Sequence, residues 1–263
     1  SGTAGAAGLL LGFMLLPILA LVATLSWDEF VHGLTHPSVW PALKLSLLTT
    51  TTSLVAVIAL GTPLAWLISR RRGRLIQLTE TLVRLPAVLP PAVAGVALLL
   101  AFGRKGLLGA WLADMGWPIP FTTSAVVMAE IFVSAPFFLQ AAVSSFRAID
   151  EDQLTVARTL GSGPAGVFFR VAVPLAMPGL IAGAAMSWAR ALGEFGATLM
   201  FAGNLEGKTQ TLTLAVYTTF ESDMRAAQAL SLVLVIVAFT LLYALTSRVS
   251  AGTDRREGGS PSA

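Results

Sequence analysis

Residues Ser145–Leu180 read SFRAIDEDQLTVARTLGSGPAGVFFRVAVPLAMPGL, and this stretch sets the layout of the chain. It is the longest polar and charged run between two strongly apolar segments. Asp150, Glu151 and Asp152 open it as an acidic helix start, with Asp150 as the cap. Leu154, Val156, Ala157 and Leu160 then recur at the spacing of one apolar helix face, with Arg158 on the other side. Gly161 is placed to end that helix in the left-handed region, where a residue without Cβ carries no penalty. After Ser162-Gly163-Pro164 the pattern predicts a second short amphipathic helix bearing Val167, Phe168 and Val171 beside Arg170. Pro174 and Pro178 flank the start of the next apolar run. Two short helices and a glycine turn between membrane spans form a knob suited to a partner's groove.

The flanking composition is that of a membrane protein. Of 263 residues, 55% are hydrophobic and 12% charged, about half the charged share of a soluble domain. The absence of cysteine excludes a disulfide framework and thiolate metal or redox chemistry. A net charge of +3 does not point to nucleic acid, because the arginines sit between apolar runs and not on one continuous face. That pattern orients a chain in a bilayer.

Six spans follow from runs long enough to cross a ~30 Å hydrocarbon core in about 20 residues. Residues 4–25 are uncharged and are read as a first membrane helix rather than a signal peptide, since no basic region precedes them and further spans follow. Residues 27–41 form a polar connection holding His32 and His36. Their i,i+4 spacing resembles a metal pair, but no third ligand is near and Pro37 interrupts a helix, so they are read as loop residues. The second span covers 45–69, and the third covers 85–102 with kinks at Pro86, Pro90 and Pro91. Residues 103–121 connect to the fourth span at 122–146, and the fifth runs from 174 to about 201. A short apolar piece, 212–217, is too brief to cross and reads as a re-entrant or surface helix. The sixth span is 226–247. Residues 249–263 form a polar tail rich in glycine and serine, expected to be disordered.

Six spans put both termini on one side. Arg70, Arg71, Arg72, Arg74, Arg84, Arg147, Arg158, Arg170, Arg248, Arg255 and Arg256 fall on the side of the knob, against Lys44, Arg104, Lys105, Lys208 and Arg225 opposite. The excess predicts a cytoplasmic knob.

Polar residues inside spans are the other candidates. The run Thr49-Thr50-Thr51-Thr52-Ser53 either bonds its own helix carbonyls or lines a path. Gly183, Ser187, Arg190, Glu194 and Thr198 step by three or four and predict one small, polar stripe on the fifth span. Gly179 and Gly183 allow close helix approach. Arg190 and Glu194 can pair, and Glu130 on the fourth span lies at comparable depth. Charges at mid-bilayer cost roughly 3 kcal/mol each, so they are functional candidates by default, with a structural ion-pair network as the alternative. Two carboxylates and one guanidinium sum to −1, so an anion would be met by hydroxyls and by backbone N–H groups near Gly193, Gly196 and Gly203 instead of by Arg190 alone.

The loop also carries a family resemblance. Permeases of ABC importers bear a cytoplasmic loop reading Glu-Ala-Ala, three residues, Gly, nine residues, Ile, one residue, Leu-Pro. Here that register falls on Thr155-Val156-Ala157, Gly161, Val171 and Val173-Pro174, with Thr155 in place of the Glu and Val156 in place of the first Ala. Ala189-Arg190-Ala191-Leu192-Gly193-Glu194-Phe195-Gly196-Ala197-Thr198 and Met200-Phe201-Ala202-Gly203-Asn204 resemble the molybdate branch of these permeases. The resemblance is specific from Ser145 to Tyr217. It implies an all-α integral membrane permease of the type I importer class, with residues 1–248 as one transmembrane domain and a coupling loop at about 147–173. Thr155, Val156, Ala157, Arg158, Gly161, Val171 and Pro174 are then the residues that meet an ATPase. The translocation path or its buried charge network holds Glu130, Ser187, Arg190, Gly193, Glu194, Gly196, Thr198, Gly203 and Asn204. Implied partners are two cytoplasmic ATP-binding subunits, a second copy of the chain, an external oxyanion-binding protein and membrane lipid, with no nucleic acid. The substrate implied is molybdate or tungstate, with sulfate or thiosulfate as the alternative.

No Walker A loop and no nucleophile–base arrangement occurs, so the chain is expected to bind no cofactor itself and to leave ATP to its partner. A proton-coupled secondary transporter using Glu130, Arg190 and Glu194 is the competing class. It leaves the knob without a role.

Overall fold

A computed structural model describes residues 2–257, with side-chain environments for 3–244, and the described residues contain helices and no strands. In order these are α1 (Gly2–Ala23), α2 (Trp27–Leu34), α3 (Val39–Arg70), α4 (Arg74–Val88), α5 (Pro91–Phe102), α6 (Gly109–Asp114), α7 (Thr123–Arg147), α8 (Glu151–Thr159) and α9 (Pro164–Gly166). A π-helical turn, Val167–Ala172, then leads into α10 (Val173–Leu192), α11 (Gly196–Ala202), α12 (Leu212–Ser222) and α13 (Met224–Glu257). Among the described residues, five helical stretches are long and apolar enough to cross a membrane. A sixth exists if α4 and α5 count as one span, broken by a 116° bend.

That bend changes the third predicted span. Leu89 and Pro90 are extended, with ψ near 136° and 135°, so α4 stops and Pro91 starts α5 as its first residue. The predicted second helix of the knob differs too. Pro164 to Leu192 is one continuous 29-residue helical path, and only a wide turn marks the join. There the Val173 N–H reaches the Phe168 carbonyl, five residues back. Pro174 comes directly after this join, and its missing N–H withdraws one donor from the helical ladder where the turn is wide.

Two further differences come from local chemistry. Residues 27–34, expected as loop, form a helix because Ser26 and Glu29 make a reciprocal capping box. The Ser26 N–H and hydroxyl both donate to the Glu29 carboxylate and, with nearby Arg225, hold its pKa below the usual carboxylate range. At the other end α13 continues through 249–257, where a disordered tail was expected, and the rest of that tail lies outside the described residues.

Packing centres on α7, which lies against α3 on one side and α10 on another. Small residues set these distances. A Cβ on Gly61 would sit 2.9 Å from Phe138 Cδ1, and one on Gly183 would sit 2.8 Å from Ala141 Cβ. One on Gly179 would overlap the Ser145 hydroxyl at 1.7 Å. A core of Val57, Ala65, Ile68, Phe138, Phe146 and Leu154 fills the half of the bundle nearest α8. The other half holds two cores. Ala94, Leu98, Val133, Ala197 and Phe201 join α5, α7 and α11. Val39, Ala42, Leu212 and Leu230 join α3, α12 and α13, so the short apolar piece 212–217, read as a re-entrant or surface helix, packs one face into the core while Tyr217 stays exposed. By contrast α1 is exposed almost throughout and is tied at one end, where Gln228 donates to the Leu21 carbonyl and the Thr24 hydroxyl.

Candidate functional site

At one end of the bundle α8 stands beyond the spans. Asp150 caps it, its Oδ1 accepting from the Asp152 N–H at 3.0 Å. At about 100° per residue, Leu154 and Ala157 share a side, while Val156 and Leu160 point away from it. Accordingly Leu154 is fully buried and Ala157 packs on the core, whereas Val156 and Leu160 are 56% and 80% exposed. The single apolar face expected across these four residues is therefore two faces, one for the bundle and one free. Gly161 follows at φ +86°, the left-handed conformation that ends the helix. Phe169, 67% exposed, lies on the π-helical turn and stacks edge-on against Phe168.

The remaining loop residues divide between inside and outside. Thr155 bonds its hydroxyl to the Glu151 carbonyl at 2.9 Å and is exposed, as is Arg158. Val171 packs into the core and Pro174 is exposed. Arg70, at the end of α3, meets Glu151 at 2.5 Å and also donates to the Phe146 carbonyl.

Deeper in the bundle, polar groups gather between α3, α7, α10 and α11. Thr49 donates to Glu130 Oε1 at 2.7 Å, and Ser46 accepts the Leu212 N–H at 2.7 Å. Ser46, Thr49, Thr50 and Ser53 are all buried, so this part of the hydroxyl run faces protein. Thr50 and Thr52 bond carbonyls four residues back in their own helix. Glu130 Oε2 and the hydroxyls of Ser134, Ser187 and Thr198 are buried without a protein partner, the environment that ordered water or a polar ligand satisfies.

Arg190 Nη1 lies 2.8 Å from Glu194 Oε2, but its N–H is not aimed at that oxygen, so the contact is between charges rather than a formed hydrogen bond. The predicted stripe does not run through one helix. Alpha10 ends at Leu192, and Glu194 sits in the break before α11. Its Oε1 accepts the Ala197 N–H at 2.7 Å, placing a carboxylate on the first turn of α11, and its carbonyl accepts from the Thr213 hydroxyl. Glycine makes the break possible, for a Cβ on Gly196 would stand 2.7 Å from Pro91 Cβ. Gly193 caps α10, and Gly203 ends α11 at φ +73° against the Phe121 ring. Asn204 donates to the Thr218 hydroxyl at 2.7 Å, leaving its own buried oxygen unpartnered. The structure thus brings Arg190 and Glu194 together, whereas Glu130 makes no ion pair with Arg190 among the described residues. Thr49 belongs to the hydroxyl run named from the sequence, whereas Ser46 and Ser134 were missed, although the 46-49-50-53 spacing marks a polar helix face.

Similarity to known proteins extends along nearly the whole chain. Residues 57–256 match the model of the family described as binding-protein-dependent transport system inner membrane component. The chain is 44% identical over 244 residues to the molybdenum transport system permease protein ModB of Mycobacterium tuberculosis, covering 93% of this chain and 92% of that one. It is 33% identical to the sulfate transport system permease protein CysT of Escherichia coli, covering 89% and 86%. In fold it is similar to a chain of a bacterial ABC transporter involved in the import of the acidic polysaccharide alginate, with a TM-score of 0.72 at 15% identity over 94% and 93% of the two chains. The chain is a multi-pass membrane protein and belongs to the inner membrane components of binding-protein-dependent transport systems.

Proposed function

We propose that this chain is the membrane-spanning subunit of an ATP-driven importer of molybdate, with tungstate as a near-isosteric companion. The observation that carries the substrate is the 44% identity to a molybdenum permease along nearly the whole of both chains. The loop geometry supports the mechanism, because the exposed apolar side chains Val156 and Leu160 are held outside the spans on a buried anchor, Leu154. Two copies of the chain enclose one path, and two cytoplasmic ATPases bind the two α8 loops. An external binding protein delivers the oxyanion. The chain itself binds no cofactor and hydrolyses no ATP. The excess of basic residues on the side of α8 supports a cytoplasmic position for α8 and both termini. Closure of the ATPases draws the two loops together and opens the path outward; their separation returns it inward, a rigid-body switch between two packings.

Along the path a tetrahedral dianion meets hydroxyls and backbone N–H groups near Gly193, Gly196, Thr198, Gly203 and Asn204. Arg190 is already engaged by Glu194. Sites of this kind bind weakly and so permit release. Sulfate is the second reading, favoured by the similarity to CysT. The two anions have the same charge and shape, and the binding protein's pocket makes most of the selection. Labelled uptake of both anions at submicromolar concentration, with and without the subunit, tests the assignment. Loss of molybdate uptake with sulfate uptake retained is expected. Selective loss of sulfate uptake refutes it in favour of the second reading.

A further inference from the structure

Four arginines lie between the end of α3 and the start of α4, and one of them is turned inward. Arg71, Arg72 and Arg74 are exposed and make no ion pair among the described residues, whereas the Arg70 side chain is only 16% exposed. Arg70 lies where four elements meet. Its Nη1 is 2.5 Å from Glu151 Oε1 in the first turn of α8, and its Nη2 donates to the Phe146 carbonyl at the end of α7. The guanidinium carbon stands 4.7 Å from the centre of the Trp66 ring, one turn earlier in α3. Trp66 in turn meets Phe146 edge-on at 5.3 Å and Phe168 of the π turn at 5.7 Å.

As a source of stability the ion pair is minor, because Glu151 is 65% exposed and such pairs contribute about 0–1 kcal/mol. Its geometry matters more. A guanidinium is a rigid planar fork, and here each prong engages a different helix while the ring of a third lies beneath it. The Phe146 carbonyl is among the last of α7, where it also accepts the Ile149 N–H at 3.4 Å, and a cation is favoured at this end of a helix. The covalent link from α7 to α8 is only Ala148, Ile149 and Asp150. The link itself is short, and the packing of Ile149, Leu154 and Ala157 in the core seats α8, leaving its rotation about that seat to be set by polar contacts at its first turn.

We propose that Arg70 is a positioning residue for energy coupling. It holds α8 in one orientation relative to α3 and α7, so that a displacement of α8 moves the three helix ends as one body. The inference rests on the reading of α8 as the ATPase-docking element. Without Arg70 the loop still docks, because its free apolar surface is unchanged, but part of each stroke is lost in rotation of α8 about its link.

The test uses the complete importer with its ATPase and binding protein in proteoliposomes, with ATP hydrolysis and molybdate uptake measured in the same vesicles. Glu151→Gln, Arg70→Lys and Arg70→Gln are compared with the parent. The ATP hydrolysed per anion taken up is expected to rise about threefold in Glu151→Gln, where one exposed ion pair is lost. It is expected to rise roughly tenfold or more in Arg70→Gln, within the usual range of coupling energies. Arg70→Lys should fall between them, since it keeps the charge and loses the fork. Hydrolysis itself should stay within about twofold of the parent, the spread of a residue outside the docking surface. An unchanged ratio in Glu151→Gln and Arg70→Lys overturns the proposal, as does a parallel fall of hydrolysis and uptake, which is what a merely structural role gives. Leu160→Asp separates this from the reading beneath it. If that variant keeps the ATPase bound and transport intact, the docking assignment fails. If it releases the ATPase while the Arg70 ratios match the parent, only the present inference fails.

Discussion

Gly161 shows how much rests on one backbone conformation. At φ +86° it occupies a region that costs an L-residue roughly 1–2 kcal/mol, and a Cβ there meets no neighbouring atom. A substitution is therefore penalised by conformation and not by crowding. Gly161→Leu is expected to reshape the end of α8 and weaken ATPase binding by about tenfold, the equivalent of that strain. Membrane insertion should be untouched, because no span packs on this residue. Co-purification of the ATPase with the variant, against total variant in the membrane, measures both. Normal assembly and normal uptake together would remove the loop from the mechanism. Gly179 contrasts with it, being constrained by space alone, with the Ser145 hydroxyl where its Cβ would stand.

Among the elements, the break between α10 and α11 is the one whose charges can be assigned by experiment. Glu194 is buried, touches Arg190 across the break and also holds the first turn of α11 through Ala197. Arg190→Gln leaves that carboxylate without its cation. Because Arg190 is 28% exposed, the loss is expected to be on the order of 2 kcal/mol, below that of a fully buried pair. Assembled protein in the membrane should then fall several-fold, and adding Glu194→Gln should restore part of it, since the amide oxygen still accepts the Ala197 N–H. Membrane abundance and anion uptake are measured together. If Arg190→Gln spares abundance and abolishes uptake, Arg190 contacts the anion instead. The α4–α5 bend offers no comparable test, because both of its arms pack on α7.

For the molecule as a whole, orientation is the decisive quantity, and the lack of cysteine makes it measurable without background. Single cysteines at the exposed positions Arg72, Gly163, Trp117 and Glu206 are expected to label from the cytoplasm in the first two cases and from outside in the others. External labelling of Gly163→Cys would invert the topology and the mechanism with it. Runs of uncharged residues announce the spans, because lipid tolerates little else. The Asp150 cap and the left-handed Gly161 were equally legible, each being a local preference. Interruptions within spans were not. Pro90 and Gly193 allow a break, but whether a helix bends at a proline or merely kinks depends on what packs beyond it. The buried hydroxyl layer was half legible, since spacing marks a polar face of α3 but says nothing of Glu130 on the helix opposite. The capping box at Ser26 and Glu29 was written in the chain and overlooked in favour of Pro37.

The π turn at Val167–Ala172 sets the phase between loop and span. A wide turn of this kind is a helix with one residue too many, so everything before it is rotated by about 100° relative to a regular continuation. Alpha10 keeps its register on α7 through Gly179 and Gly183, and it is therefore the loop that carries the offset. Deleting a single residue between 167 and 172 would straighten the turn without disturbing that register. The loop would then be dialled round the bundle, with its free apolar side facing a new direction. Length at this point sets the direction in which the loop is aimed, and side-chain contacts such as those of Arg70 then hold it there.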